Sequence, residues 1–318
     1  MKSQATEIAQ LNIRSGSKTF REAAAAVHAA KASTWSSKTA DAFTSTLADH
    51  AHPVIGAMLV EDIDASDVVR VLRPLWEAKP ATAAKVRQRI TAVLAYAKAS
   101  KWRTTEAPVK SVSVLLGKRG QGEAMASMPY HEVPAFYSVQ SSKPDTAGRL
   151  ALMFLIATAA RSGEVRSADW AQVDLGARLW SRPAAMMKSG KPHAVTLNDA
   201  AVAILERAAA FSGKREGLVF PALSGAALSD NTLSKIMRDA KLAFVPHGFR
   251  SSFRDWAAET MPTIPDPVAE AALAHAVPDK VVAAYKRTQF LEMRRKLLDE
   301  WGAFIAGTGN VVALGAQA

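Results

Sequence analysis

The sequence predicts a mainly α-helical protein with a small β-sheet, divided into two domains. Three observations predict it. Apolar residues recur at helical spacing through residues 19–103 and again from residue 131 onward. One short region, residues 179–197, breaks that rhythm with β-prone runs. The chain of 318 residues also exceeds the roughly 250 to 300 residues that one hydrophobic core usually supports.

Taken in order, residues 1–17 are polar, end in SGS and are expected to form a linker or tail. Residues 18–104 are expected to form a four-helix unit. TFREAAAAVHAAKA is rich in alanine, and STWSSKTADAFTSTLADH places its apolar residues at helical spacing. DASDVVRVLRPLW starts with Asp64, an expected N-cap, and a break is expected at Pro74. PATAAKVRQRITAVLAYAKASKW sets Val86, Ile90, Val93, Leu94 and Ala97 on one face of a long helix. Residues 105–128 mix proline, glycine and basic side chains and read as an interdomain linker.

The second domain is expected over residues 129–305, with residues 306–318 as a C-terminal tail. Helices are expected at 131–140, 146–160, 198–211, 229–243, 247–260, 266–273, 278–286 and 288–305. LALMFLIATAA, at 150–160, is too short for a bilayer and reads as a buried helix. RLWSRP and PHAVTL bracket MMKSGK, which predicts a hairpin with Lys188 and Lys191 at its Ser-Gly tip.

Composition narrows the function classes. With no cysteine, the chain has no disulfide, zinc–thiolate site or thiol nucleophile. The start MKSQATEIAQLN lacks the apolar region of a signal peptide. Forty Lys and Arg against 29 Asp and Glu give a formal charge of +11, which favours a polyanionic partner. Phosphate-loop, dinucleotide, zincin and serine-hydrolase motifs are absent, and HEVP at 131–134 lacks the second histidine of a zinc helix.

What remains is a set of cations and imidazoles. Arg161 closes an apolar helix, where it either snorkels or pairs with Glu164. His247 and Arg250 lie three apart at a helix start. His275, in the small-residue run AEAALAHAV, reads by itself as a satisfied core histidine, and Lys188 as a solvated loop lysine. Tyr285, in VVAAYKRT, is either a packing residue or a nucleophile.

Their order along the chain resembles the tyrosine recombinases, in particular the integrases of phages and genomic islands. The resemblance rests on MPYHEVPAFY, the RSGE turn, MKSGKPHAVTL, LSDNTLSKIMRDA, PHGFRSSFRDWAAE and EAALAHAVPDKVVAAYKRTQFLEMRRKLLDEWGAF. It implies an N-terminal, SAM-like core-binding domain of four helices followed by an α+β catalytic domain. It also implies that Tyr285 attacks a scissile phosphate, leaving a 3′-phosphotyrosine and a free 5′ hydroxyl. Arg161 and Arg250 would clamp the non-bridging oxygens, Lys188 would protonate the leaving oxygen, His247 would shuttle a proton and His275 would bond the phosphate. Glu164 would orient its neighbours. Lys85, Arg87 and Arg89 on the long helix of the first domain read either as DNA-backbone contacts or as a plain solvated helix face, and Lys286 and Arg287 beside the tyrosine are expected to meet the DNA backbone.

The resemblance further implies double-stranded DNA as partner, a homo-oligomer (a tetramer on paired sites), accessory bending or directionality proteins, no membrane, and a bacterial cytoplasmic, nucleoid-associated location. Neither cofactor nor metal is called for, because exchange of a phosphodiester for a phosphotyrosine conserves bond energy. A basic linker between two domains suggests a clamp around a duplex, and the tail at 306–318 a dock on a neighbouring protomer. One departure stands out: island integrases usually begin with an arm-binding domain, whereas about 17 residues precede the first helix here. A DNA-binding relic without recombination and a type IB topoisomerase-like relaxing enzyme are the alternative readings.

Overall fold

The computed structural model describes residues 16, 18–118, 120, 126–187, 190–275 and 290–308. It forms two compact units that divide at Glu123 and Ala124. No described helix is long and apolar enough to cross a membrane.

The first unit is helical. Helix α1 (Phe20–Lys31) starts at a capping box: the Thr19 hydroxyl accepts from the Glu22 amide at 3.3 Å, and the Glu22 carboxylate accepts from the Thr19 amide at 2.8 Å. Helix α2 (Ser37–His50) is capped by Ser36, and the short α3 (His52–Ile55) follows it. Helix α4 (Ala65–Trp76) is capped by Asp64, which accepts from the amides of Ser66 and Asp67. The break expected at Pro74 does not occur there. Pro74 sits in the last turn, where it forfeits one amide donor while Val71, Leu72 and Trp76 stay buried on the same face.

Helix α5 (Pro80–Ala99) is the backbone of this unit, with Val86, Ile90, Val93, Leu94 and Ala97 all buried as the spacing predicts. Residues 105–128, expected as a linker, carry a further helix, α6 (Val109–Leu116). It packs on α4 and buries Val112 in the same core as Phe20, Leu47 and Leu72. Pro108 before it and Gly117 after it hide its apolar period from a reading by composition.

The second unit is built around α8 (Ala147–Thr158), buried along nearly its whole length. Before it come a 3₁₀ turn (Tyr130–Glu132) and α7 (Val133–Ser141), and after it the one-turn α9 (Ser162–Arg166). Three short antiparallel strands follow in the order β1 (Val173–Asp174), β2 (Leu179–Arg182) and β3 (His193–Thr196). β2 and β3 are the expected hairpin, paired Leu179 with Thr196 through Arg182 with His193. β1 is two residues long, too short to leave a pattern in the sequence. Trp180 faces inward, its ring 5.3 Å from that of Phe154. The connection from β2 to β3 includes a 3₁₀ turn (Ala184–Met186), so it is longer than a tight hairpin.

Helices α10 (Asp199–Ser212), α11 (Thr232–Asp239), α12 (Gly248–Thr260), α13 (Asp266–Ala272) and α14 (Leu291–Ile305) complete the unit. The segment 278–286, expected to be helical, lies outside the described residues, as does most of the tail. Asn198 ties three elements together. Its side-chain oxygen caps α10 at the Ala201 amide, and its amide group donates to Ala157 O of α8 at 2.9 Å and Leu298 O of α14 at 2.7 Å. Gly302 of α14 lies so close that an added Cβ would fall 2.5 Å from the Asn198 side chain.

Replacing Asn198 by alanine removes a cap and strands the buried Ala157 carbonyl at the end of α8, while Leu298 O keeps its intrahelical donor, so a loss of about 2–3 kcal/mol is expected in urea unfolding. Gly302→Ala should cost about 1–3 kcal/mol by overpacking in the wild-type background. In the Asn198→Ala background the contacts to Cγ and Nδ2 are gone while the residue-198 Cβ, 2.8 Å from the added methyl, stays, so the same change should cost about 1 kcal/mol less than in wild type. Additive effects in the double variant would rule out this contact as the cause.

Candidate active site

The site forms where two helices end. Helix α8 terminates at Ala159 (φ 49°) and α13 at Ala274 (φ 49°), both alanines in the left-handed region. That conformation costs an alanine about 1–2 kcal/mol, and it turns the last carbonyls out of the helix axes. Arginines take those carbonyls up. Arg250, on the first turn of α12, is buried and donates to Ala159 O and Leu273 O, each at 2.6 Å. Arg161, the residue preceding α9, donates to Ala274 O at 3.2 Å. Arg161 and Arg250, far apart in sequence, are thereby held around the Leu273–Ala274 turn.

Glu164 supports Arg161 twice. Its carboxylate accepts from the Arg161 guanidinium at 2.9 Å and from the Arg161 amide at 3.1 Å. The Glu164 carbonyl in turn accepts from the buried Arg182 of β2 at 2.9 Å, which fastens α9 to the sheet.

His275 is exposed and lies in the site, which overturns its reading as a core histidine. Its Nε2 is 2.9 Å from Arg250 Nη2, and its Nδ1 is 2.6 Å from a Glu270 carboxylate oxygen. The end of α13 explains this contact. The His275 amide bonds Glu270 O and the Ala274 amide bonds Ala271 O, a Schellman ending that folds His275 back over Glu270. Such endings commonly bring two apolar side chains together, and here an acid and an imidazole meet in their place. Arg254 of α12 holds the other carboxylate oxygen of Glu270 at 2.7 Å and reaches Asp266 at 3.2 Å.

His247 directly precedes α12. The glycine after it is required, because a Cβ on Gly248 would fall 2.6 Å from Ala126 O. Arg161, Glu164, His247, Arg250 and His275 thus belong to one cluster. Lys188, Tyr285, Lys286 and Arg287 lie outside the described residues. The expected DNA-contact residues of α5 divide. Lys85 is exposed. Arg87 instead donates to Ser113 Oγ at 2.6 Å and to Val109 O, and Arg89 donates to Ala42 O.

The electrostatics follow from burial and crowding of positive charge. Burial, and then the nearby Arg161, lower the Arg250 guanidinium to about 10, so it stays charged at neutral pH. Burial, with Arg250, Arg161 and His275 adding to it, also lowers His247, which keeps that imidazole available as a proton acceptor. Burial opposes ionisation of Glu270, but its bonds to Arg254 and His275 prevail and hold its carboxyl below the ordinary range. Such a site, two fixed guanidiniums beside two imidazoles, suits a phosphate whose charge grows during reaction.

Sequence reasoning passed over Glu270, Arg254, Arg182, His193 and Arg294. Glu270 and His275 are five residues apart, a spacing that belongs to a helix ending and to no regular period. Arg294 of α14 is buried and donates to Ala194 O of β3 at 3.0 Å, joining the last helix to the hairpin.

Residues 20–112 match the phage integrase central domain, and residues 127–292 match the phage integrase family. Prophage integrase IntZ of Escherichia coli (strain K12) is 30% identical over 307 residues, covering 94% of this chain and 74% of that protein. Prophage integrase IntA of the same organism is 31% identical over 272 residues, covering 82% of this chain and 64% of that protein. Among solved structures, a lambda integrase (75-356) dimer bound to a COC′ core site superposes with a TM-score of 0.66. It shares 20% identity, over 86% of this chain and 96% of that one. A lambda integrase tetramer bound to a Holliday junction gives 0.65 at 20% identity, over 83% of this chain and 79% of that one. These two likenesses concern the fold.

Beside the cluster, burial and the adjacent Arg294 lower His193 to about 4, against an ordinary value of 6.5. The unfolded chain therefore binds the extra proton between those values, so stability is full above about pH 6.5 and declines as pH falls toward 4. His193→Gln should remove up to about 3 kcal/mol of the difference between urea unfolding at pH 7 and at pH 4.5. An unchanged pH dependence in the variant would show that His193 does not carry this effect.

Proposed function

The chain belongs to the phage integrase family of tyrosine recombinases, enzymes that cut and rejoin DNA strands, and from that premise we propose that it recombines specific DNA sites through a covalent 3′-phosphotyrosine on Tyr285. The observation that carries this reading is the convergence of Arg161 and Arg250 on one backbone turn with His275 against Arg250.

In the proposed step the Tyr285 oxygen attacks the phosphorus of one strand while His247, held neutral by burial and neighbouring cations, takes up the phenolic proton. The new bond joins phosphorus to the tyrosine oxygen. The bond that breaks frees the 5′ oxygen, which takes a proton from Lys188. Arg161 and Arg250 hold the non-bridging oxygens as negative charge builds in the pentacoordinate state. A 5′ hydroxyl from the partner strand then reverses the chemistry, so no external energy source enters. Lys85, Lys286 and Arg287 contribute charge toward the DNA backbone. The lambda integrase tetramer on a Holliday junction supports a four-protomer assembly on paired sites for this chain also.

A nicked suicide duplex carrying a cognate site tests the chemistry. Wild-type protein should accumulate a covalent adduct, and Tyr285→Phe should form none. Arg250→Lys keeps a charge but loses the fork, and should slow adduct formation by about 10²–10³-fold. An adduct that persists in Tyr285→Phe would reject the mechanism.

A further inference from the structure

Arg250 only donates hydrogen bonds, so the 2.9 Å contact between its Nη2 and His275 Nε2 requires that Nε2 accept. The His275 ring in this state therefore carries its hydrogen on Nδ1, where it donates to Glu270 at 2.6 Å. Glu270 is held in turn. Arg254 donates to its second oxygen at 2.7 Å and is anchored at the other side by Asp266 at 3.2 Å. The chain of partners runs from α13 to α12 and back, and both of its ends are fixed by helices of the second unit.

We infer that Glu270, oriented by Arg254, is a positioning residue that sets the tautomer of His275 and so keeps Nε2 as the nitrogen that faces the phosphate site. The inference rests on the recombinase reading for its consequence, although the tautomer itself does not. With DNA in place Arg250 turns a donor to the phosphate, and Nε2 becomes the position at which His275 takes up or gives a proton. The carboxylate stabilises the imidazolium formed there. A carboxylate is needed because both of its faces must accept, one from Arg254 and one from His275.

That requirement makes an unusual prediction for the closest isostere. In Glu270→Gln, Arg254 claims the amide oxygen, and the NH₂ group is left facing Nδ1. Nδ1 must then accept, the ring hydrogen moves to Nε2, and Nε2–H confronts the Arg250 donor. An amide in place of an orienting carboxylate is known to impose the wrong histidine tautomer in this way. In Arg254→Ala/Glu270→Gln the amide is free to turn over, and the original tautomer should return.

Long-range ¹H–¹⁵N correlation spectra of the full chain, with His275 assigned by comparison with His275→Gln, read the tautomer directly at a pH where the ring is neutral. The expected result is Nδ1–H in wild type, Nε2–H in Glu270→Gln and Nδ1–H again in the double variant. Adduct formation on the suicide duplex should fall at least about tenfold in Glu270→Gln and largely recover in the double variant. Wild-type adduct rates in Glu270→Gln, with the tautomer switched, would overturn the positioning role while leaving the recombinase reading intact. Nδ1–H in wild type with no adduct from any variant would do the reverse. Should Glu270→Gln fail to fold by circular dichroism, the wild-type spectrum decides: Nε2–H on His275 overturns the proposal, and Nδ1–H sustains it.

Discussion

A buried guanidinium organises the second unit. Among the described residues Arg250 has no carboxylate in direct contact; two backbone carbonyls and one imidazole nitrogen take hydrogens of Nη1 and Nη2, and the buried Nε has no partner there. Withdrawing such an ion from water costs several kcal/mol, and hydrogen bonds to a charged donor return about 1.5–3 kcal/mol each. These bonds offset much of that cost, so the cation is held without being neutralised. Carbonyls at helix ends suit this task, since they lack intrahelical partners and carry the negative end of the helix dipole. The left-handed alanines at 159 and 274 are the local strain by which those carbonyls are aimed.

The rest of the unit keeps this arrangement in register. Asn198 locks the end of α8 to α10 and α14, fixing where Ala159 sits. Arg182 fastens α9 to β2, and Arg294 fastens β3 to α14. The β2–β3 hairpin is therefore anchored on both strands, through β2 to α9 beside Arg161 and through β3 to α14. Positive charge accumulates where the half-buried Arg161 lies near the buried Arg250.

Much of this was legible in the sequence. Helix spans, the Asp64 cap, the buried stripe of α5 and the paired strands follow from local periodicity and capping chemistry. The grouping of Arg161, His247, Arg250 and His275 was anticipated for a different reason: each alone has a packing or surface explanation, and it was their order along the chain that set them together. What escaped depended on three-dimensional closure. Pro74 was tolerated because it falls in a final turn, and α6 became visible only when Val112 met the core of the first unit. Glu270 escaped because the contact to His275 is made by a helix ending. Lys85, Arg87 and Arg89 share one helix in the sequence, yet Arg87 and Arg89 spend hydrogen bonds inside their own unit.

The central claim is that the charge cluster serves a nucleophile at residue 285. The most direct test is to trap the protein on its DNA site, digest with nuclease and trypsin, and map the nucleotide-bearing peptide by mass spectrometry. The account predicts an adduct on the tryptic fragment VVAAYK, residues 281–286, located at Tyr285. An adduct on any other residue, or reaction products formed with no protein-linked nucleotide, would contradict it.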